Sequence, residues 1–284
     1  MTECLNEIKS LRVQVRQWHQ QGKKVAFVPT MGNLHVGHLQ LVRAAKARAE
    51  RVVVSIFVNP TQFGEGEDFA SYPRTEQADL DKLQALAVDI VFMPSVAEMY
   101  PGKELTTVSV KQVSDNYCGA ARPGHFDGVA TVVSKLFNIV QADYAFFGEK
   151  DFQQLAVIST MVSDLNMLTE VIAVPTEREA DGLAMSSRNG YLSAGQRQQA
   201  PQLYQAICLA KADILAKQLP FHEIEQKYHQ VLVKQGFIPD YFNICKRSDL
   251  QAATAVDVQL IILVAARIGS TRLIDNIQVD CAKS

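Results

Sequence analysis

The stretch Pro29-Thr-Met-Gly-Asn-Leu-His-Val-Gly-His38 decides the fold, because it joins a strand to a helix. Before it, Lys24-Val-Ala-Phe-Val28 is short, apolar and β-branched, which predicts a strand. After it, apolar residues recur at helical spacing, namely Leu39, Leu41, Val42, Ala45 and Ala49. Strand ends and helix N-terminal amides converge at such junctions in open α/β sheets. The sequence therefore predicts an anion-binding site here.

Two histidines and two glycines give this junction its chemistry. His35 and His38 lie three residues apart, so on a first helical turn they share a face. Gly32 permits a tight turn, and Gly37 has no side chain to hold a ligand away from the backbone. The pattern indicates two imidazoles at nucleotide phosphates, although two incidental histidines remain an alternative for so short a motif.

Composition excludes several classes of function. The 284 residues are 48% hydrophobic and 20% charged, with a formal net charge of −2. Without a basic field, non-specific nucleic-acid binding is not expected, and an anionic substrate needs local positive groups. The start Met1-Thr-Glu-Cys4 does not resemble a signal peptide, and the apolar run Leu260–Ala266 is too short to span a membrane.

The cysteines point to the compartment. Five are scattered along the chain without C-x-x-C spacing: Cys4, Cys118, Cys208, Cys245 and Cys281. This pattern favours a reducing cytoplasm and predicts neither a disulfide framework nor a zinc site.

The first part of the chain alternates strands and helices. Val52–Val58 is nearly continuously apolar, which is typical of a strand in a parallel sheet covered on both faces. Helix Thr75–Ala87 and strand Val88–Met93 follow, so the pattern predicts a Rossmann-like, doubly wound parallel sheet. Further expected elements are helices Glu7–Gln21 and Val129–Val140, strands Leu105–Val113, Tyr144–Phe147 and Glu170–Val174, and a loop over Arg122–Gly128.

The pattern of predicted helices and strands changes near Pro175. Helices are predicted at Ala200–Gln218 and Phe221–Gln235. Strands then recur at Tyr241–Cys245, Gln259–Ala266 and Arg272–Ile274. Runs of helices followed by strands indicate a smaller α+β domain, so we expect domains at 1–175 and 176–284.

Three further motifs carry polar groups suited to a nucleotide and a small acid. Gly148-Glu-Lys-Asp151 follows a predicted strand, where the Lys150 ammonium can reach phosphate. Met185-Ser-Ser-Arg188 offers two hydroxyls and a guanidinium, which suit a triphosphate. Asn59 and Gln62 follow another strand and can hydrogen-bond an acid without adding charge. Taken singly, each is also compatible with a solvated cap, loop or turn.

In this order the segments resemble the pantothenate synthetase (pantoate–β-alanine ligase) family. The matching stretches are Pro29–His38, Val58-Asn-Pro-Thr-Gln-Phe63, Arg122-Pro-Gly-His-Phe126, Phe147-Gly-Glu-Lys-Asp-Phe-Gln-Gln154, Met185-Ser-Ser-Arg-Asn-Gly-Tyr-Leu192 and Leu273-Ile-Asp-Asn276. The sequence does not decide whether the Arg122–Gly128 loop is a flap or an interface.

The resemblance implies a homodimer whose smaller C-terminal domain closes over the ATP site. It also implies a two-step reaction. ATP and (R)-pantoate form pantoyl adenylate and pyrophosphate with Mg²⁺, and β-alanine then displaces AMP to give pantothenate. No metal-ligand set is assigned to the chain itself.

The resemblance implies a set of site residues, which are assigned by matching each motif to its position in this sequence. His35, His38, Lys150 and Arg188 are the expected catalytic groups. The expected ATP-binding residues are Met31, Gly32, Asn33, Leu34, His35, Val36, Gly37, His38, Gly148, Glu149, Lys150, Asp151, Glu177, Met185, Ser186, Ser187 and Arg188. Asp151 is expected at the ribose and the Glu177 backbone at adenine. Gln62 and Gln154 are the expected pantoate ligands, with Asn59 beside them.

Two other functions stay open on the sequence. A nucleotidylyltransferase of the same superfamily shares the histidine pair but leaves the two glutamine segments unexplained. A non-catalytic nucleotide sensor would not require both histidines and Lys150 at the phosphates. The sequence offers no covalent nucleophile with an adjacent base, which favours direct in-line attack by the substrate carboxylate.

Overall fold

The computed structural model of the chain describes residues 2–64, 66–67 and 69–281. Met1, Glu65, Asp68 and residues 282–284 fall within the two predicted domains but lie outside the described residues. The strands are β1 Glu3–Leu5, β2 Val25–Thr30, β3 Arg51–Ile56, β4 Ile90–Phe92, β5 Tyr144–Gly148, β6 Glu170–Val174, β7 Ile238–Lys246, β8 Gln259–Ile268 and β9 Thr271–Asp280. The helices are α1 Ile8–Gln20, α2 Val36–Arg48, α3 Glu76–Ala85, α4 Val96–Met99, α5 Cys118–Ala121, α6 His125–Val140, α7 Phe152–Asp164, α8 Ala194–Gln199, α9 Gln202–Ala216 and α10 Phe221–Lys234.

The first six strands form one parallel sheet in the order β1-β4-β3-β2-β5-β6. The chain runs from β2 outward through β3 to β4 and then returns to the other side of β2 with β5. The strand order therefore reverses between β2 and β5, which is where ligands bind in open α/β sheets. The predicted doubly wound sheet is confirmed.

Strand β2 lies at the centre because both of its faces are apolar. Residues 25–28 are fully buried. Ala26 and Val28 pack on one face with side chains of α2 and α3, whereas the Phe27 ring meets Phe137 of α6 at 6.4 Å on the other. A strand covered on both faces is typical of a parallel sheet.

Strands β7, β8 and β9 form a separate antiparallel sheet with β8 in the middle. The apolar run Leu260–Ala266 lies in β8 and is buried throughout. Ile207 of α9 and Ile224 of α10 belong to the same apolar cluster, so helices cover this sheet as the α+β pattern predicts. No helix in the described part of the chain is long and apolar enough to cross a membrane.

The described residues group into two units. The first contains those up to Lys111, Arg122–Glu149 and Gln154–Pro175. The second contains Gln112–Ala121, Lys150–Gln153 and those from Thr176 onward. The predicted division into domains at residue 175 stays a prediction.

Two expected elements differ in the structure. The predicted strand Leu105–Val113 is wrong, because this segment pairs with no strand among the described residues and Leu105 is 90% exposed. The Val108 amide instead donates to Thr131 Oγ1 at 2.9 Å. The Arg122–Gly128 segment is a loop only in part, because Gly124 adopts a left-handed conformation and α6 begins at His125.

A carboxylate joins the starts of β2 and β5. Asp143 accepts hydrogen bonds from Lys24 Nζ at 2.6 Å and from the Val25 amide at 2.9 Å. Burial raises the pKa of Asp143, but these hydrogen bonds more than offset it, so the pKa lies below its ordinary value.

We therefore expect Asp143→Asn to destabilise the protein by about 1–2 kcal/mol at pH 7. A lowered folded-state pKa contributes stability above the unfolded pKa and loses it as the pH falls through the folded pKa. The difference in unfolding free energy between the variant and the native chain should thus be full above about pH 5 and shrink below about pH 4. Urea unfolding at several pH values measures it, with the exposed Asp164→Asn as control. A difference that stays constant with pH would contradict the role.

Candidate active site

The loop after β2 turns sharply before α2 begins. Gly32 has φ +82° and Asn33 has φ +49°, so two successive residues adopt the left-handed region. A Cβ on Gly32 would lie 3.1 Å from Ile56 and 3.3 Å from Asp79, so glycine is needed here for space as well as for conformation. Thr30 Oγ1 donates to the Ser55 carbonyl at 2.7 Å and fixes the loop to β3.

A buried carboxylate holds this loop. Asp79 of α3 has no exposed surface, and its two oxygens accept from the amides of Asn33 at 2.7 Å and Leu34 at 2.8 Å. Thr75 Oγ1 donates to it at 3.0 Å. Lys82 lies 3.5 Å from the carboxylate and donates to the Leu34 carbonyl at 2.7 Å. A buried charge is tolerated when it is paired and hydrogen-bonded in this way.

The two predicted histidines come together at the start of α2. His35 is the residue that caps the helix, His38 lies on its first turn, and their ring centroids are 4.0 Å apart. The His35 amide donates to His38 Nδ1 at 3.3 Å. Since Nδ1 of His38 accepts, a neutral ring carries its proton on Nε2, which is then a donor. The loop, the histidines and the amides of α2 thus lie together, and a helix N-terminus of this kind can bind an anion.

Asn59 and Gln62 lie in a turn after β3. Asn59 precedes a short 3-10 helix, Pro60–Gln62, and is 1% exposed. Its Nδ2 donates to Gln62 Oε1 at 3.2 Å, and Gln62 Nε2 contacts Met31 Sδ at 3.2 Å. The structure therefore brings Gln62 beside the loop that carries the histidines. Asn59 faces protein groups, which favours a role in orienting Gln62.

In the second unit, β9 anchors the segment that carries Lys150. Asn276 Nδ2 donates to the Lys150 carbonyl at 3.0 Å. The Lys150 ammonium lies 3.7 Å from Asp151, and its side chain is 20% exposed. This segment is a 3-10 helix, Glu149–Asp151, that begins directly after β5. Lys150 is thus held by its backbone, and its side chain reaches solvent.

The neighbouring residue Asp275 anchors the second predicted phosphate segment. Arg178 donates to its two oxygens at 2.7 and 2.9 Å, and its guanidinium lies 3.6 Å from the centre of the Tyr204 ring. Burial raises the pKa of Asp275, and the hydrogen bonds from Arg178 act in the opposite direction. Arg178 is also bridged to Ala184, and the Met185 amide donates to the Glu177 carbonyl at 2.9 Å. The pair thereby fixes the hairpin that leads into Met185–Arg188.

The Met185–Arg188 segment itself ends in a 3-10 helix, Ser187–Tyr191. Ser186 caps this helix by accepting from the Arg188 amide at 3.2 Å. All four side chains are half-buried. The structure thus joins Glu177 to the predicted loop by a backbone hydrogen bond.

The two adjacent glutamines of α7 differ. Gln153 is buried, and its side chain accepts from the Cys118 amide at 3.0 Å and donates to the carbonyls of Val113 and Asn116. It holds the Gln112–Ala121 segment. Gln154, the predicted pantoate ligand, is only half-buried.

Sequence reasoning missed the residues that hold the binding segments, namely Asp79, Arg178, Asp275 and Asn276. Asp79 gives only a weak signal, because it is an acidic residue within the predicted helix Thr75–Ala87 and turns out to be buried. Asp275 and Asn276 lie within a matching stretch, but no local pattern assigns them a partner.

Comparisons with known proteins decide the family. The family model described as pantoate-beta-alanine ligase matches residues 3–278. The chain belongs to the pantoate–β-alanine ligase family. It is therefore a ligase that condenses pantoate with β-alanine to give pantothenate, and the family predicted from its motifs is confirmed.

Relatives match over nearly the whole chain. The chain is 53% identical to the pantothenate synthetase of Alteromonas mediterranea, over 98% of this chain and 99% of that protein. A pantothenate synthetase structure from Thermus thermophilus is 44% identical with a TM-score of 0.91, covering 98% of this chain and 99% of that one. A pantoate-beta-alanine ligase from Francisella tularensis, complexed with β-γ ATP and β-alanine, is 34% identical with a TM-score of 0.80, covering 98% and 97%.

We expect Asp79→Asn to lower the free energy of unfolding by about 2–3 kcal/mol, because its NH₂ group would meet the loop's backbone donors. Hydrogen exchange at Asn33 and Leu34 should accelerate with it. Asp81→Asn, on the exposed side of the same helix, is the matched control. Equal stability of the two variants would show that the loop does not depend on Asp79.

Proposed function

We propose that the chain makes pantothenate in two steps through an enzyme-bound acyl adenylate. The pantoate carboxylate attacks the α-phosphate of ATP, pyrophosphate leaves, and pantoyl adenylate forms. The β-alanine amine then attacks the acyl carbon, and AMP leaves. The observation that carries this proposal is the His35–His38 pair, whose rings lie 4.0 Å apart where the strand order reverses.

The first step brings two anions together and needs positive or donating groups. A neutral His38 has a proton on Nε2 to donate to a phosphate oxygen, and His35 lies beside it. We assign Lys150 and Arg188 to the charge that grows on the leaving pyrophosphate. Ser186 and Ser187 supply hydroxyl donors, and Met31–His38 lines the ATP site, where the amides at the start of α2 can donate to phosphate.

The remaining ATP contacts are assigned by motif. We propose that Gly148 and Glu149 lie beside the nucleotide. We further propose that Asp151 contacts the ribose hydroxyls and that the Glu177 backbone contacts adenine. The fixed hairpin between Glu177 and Met185 supports the last assignment, because its backbone geometry is set by hydrogen bonds.

Gln62 and Gln154 are proposed as the pantoate ligands. Both carry an amide that donates and accepts, which suits a hydroxy acid whose carboxylate must remain a nucleophile. Because Gln62 Oε1 accepts from Asn59, its Nε2 is the group that can donate to pantoate. Asn59 is proposed to orient Gln62.

We propose that Mg²⁺ enters on the phosphates of ATP, as part of the substrate. Among the described residues, no group of three or more His, Cys, Asp or Glu side chains is placed to hold a metal ion. Mg²⁺ usually keeps several waters and binds through phosphates with one or two carboxylates, so the site suits an incoming MgATP complex. Such an ion offsets phosphate charge.

The second step needs proximity and a dry site, because water competes with β-alanine for the adenylate. We further propose that the chain works in the cytoplasm as a homodimer, as its family resemblance implies. The free cysteines support the cytoplasmic location, because they suit a reducing compartment. Light scattering on the purified chain measures the oligomeric state.

Pyrophosphate exchange tests the two-step reaction. If the adenylate forms before the amine is used, labelled pyrophosphate should enter ATP with pantoate and Mg²⁺ present and β-alanine absent. Adding β-alanine should then release AMP. Exchange that strictly requires β-alanine would defeat the two-step mechanism, and release of ADP would indicate an acyl phosphate.

Substitutions test the proposed roles. His38→Ala and Lys150→Ala should slow adenylate formation by about 3 kcal/mol in the barrier while ATP affinity changes little, because their effect is greatest as charge develops. Gln62→Ala and Gln154→Ala should raise KM for pantoate and leave KM for ATP nearly unchanged. Single-turnover kinetics measure this, with the exposed His229→Ala and Lys9→Ala as controls. Near-native rates in the first pair would mean that the roles are misassigned.

A further inference from the structure

The Arg122–Gly128 segment packs directly on the turn that carries Gln62. A Cβ on Gly128 would lie 2.6 Å from the Thr61 carbonyl carbon and 2.7 Å from the Gln62 nitrogen, and closer still to the Thr61 oxygen. Any side chain at this position would displace the turn. Asn59 Nδ2 also donates to the Gly128 carbonyl at 3.2 Å, so the first turn of α6 and the Gln62 turn are joined.

His125 fixes the same turn from a second side. Its Nδ1 lies 2.8 Å from the Gln62 carbonyl, and its Nε2 lies 3.0 Å from Arg122 Nη1. Arg122 can only donate, so Nε2 accepts and Nδ1 carries the proton that is donated to Gln62. In this tautomer the ring has its donor, Nδ1, aimed at the backbone of the Gln62 turn.

Glu67 sets the position of Arg122. It accepts two hydrogen bonds from Arg122, at 2.6 and 2.5 Å, and these lower the pKa of Glu67. Arg122 Nη2 also reaches the Gln62 carbonyl at 3.4 Å. The bonds run in one direction, from Arg122 through His125 to the Gln62 carbonyl, while Asn59 holds the side-chain oxygen of Gln62.

We propose that Arg122, His125 and Gly128 are positioning residues that aim the Gln62 amide at the acid substrate. The proposal rests on the role of Gln62 as a pantoate ligand. The Arg122–Gly128 segment touches the backbone of the turn and fixes it, so its substitutions should affect the acid and spare ATP.

Gly128→Ala is the first test. Alanine is the better helix former, so the helix should tolerate it, whereas the added methyl displaces Thr61 and Gln62. We expect kcat/KM for pantoate to fall on the order of 10- to 100-fold, while KM for ATP stays within about twofold. The control is Gly195→Ala in α8, where an added Cβ meets nothing within 4 Å. Equal pantoate kinetics in both variants would overturn the proposal.

A pair of His125 variants separates positioning from mere packing. Asparagine places its NH₂ near the position of Nδ1 and can still donate to the Gln62 carbonyl. Glutamine places its amide near Nε2 and keeps a partner for Arg122 instead. We expect His125→Asn to retain most pantoate kcat/KM and His125→Gln to lose it. Equal activity, or the reverse order, would overturn the donor role of His125.

Gln62→Ala distinguishes this inference from the proposed site. If Gln62→Ala leaves pantoate kinetics unchanged, the assignment of Gln62 as a ligand fails, and the inference fails with it. If Gln62→Ala impairs pantoate use and neither Gly128→Ala nor His125→Gln does, only the inference fails. Substrate-free hydrogen exchange over residues 57–63 adds a direct readout, which should accelerate in Gly128→Ala and His125→Gln and remain native in Gly195→Ala.

Discussion

The carboxylate of Asp79 is the constraint on which the loop after β2 depends. The loop passes through the left-handed region at Gly32 and Asn33, and the amides of Asn33 and Leu34 donate to a side chain instead of a backbone carbonyl. Buried amides without acceptors would cost several kcal/mol together. Asp79 supplies both acceptors from α3, so the place of that helix and the path of the loop are determined together.

In the second unit, side chains of β9 likewise fix the backbone of two segments. Asp275 binds the Arg178 guanidinium, which fixes the hairpin before Met185, and Asn276 holds the Lys150 carbonyl. In both units an acidic residue that is buried and fully bonded stabilises the backbone. We propose that the histidines, Lys150 and Arg188 are the groups that meet anions. This division explains how a chain of net charge −2 can present positive groups locally.

Much of the fold could be predicted because its signals are local. The apolar run of β2 and the periodicity of α2 are continuous in sequence, and the H-x-G-H motif lies where they meet. The contacts that support these elements could not be predicted, because they join distant parts of the chain. Asp79, for example, accepts from amides 45 and 46 residues away. Strand β1 has three residues, too few to show a period. The segment at Leu105 has the composition of a strand, but a strand also needs a partner, which composition does not reveal.

The anchors of the site become available at different times as the chain is synthesised. Thr30, Asn33 and Leu34, which fix the backbone of the loop after β2, bond to Ser55, Asp79 and Lys82, and these partners have been made once residue 82 is added. The turn at Gln62 gains its contacts with His125 and Gly128 only after both have been made. The Lys150 carbonyl gains its donor only after Asn276 has been made. At about 5–20 residues per second, the interval between residues 82 and 276 lasts on the order of 10–40 s on the ribosome. A nascent chain can therefore fix the backbone of its histidine loop well before the last anchors of the chain have been made.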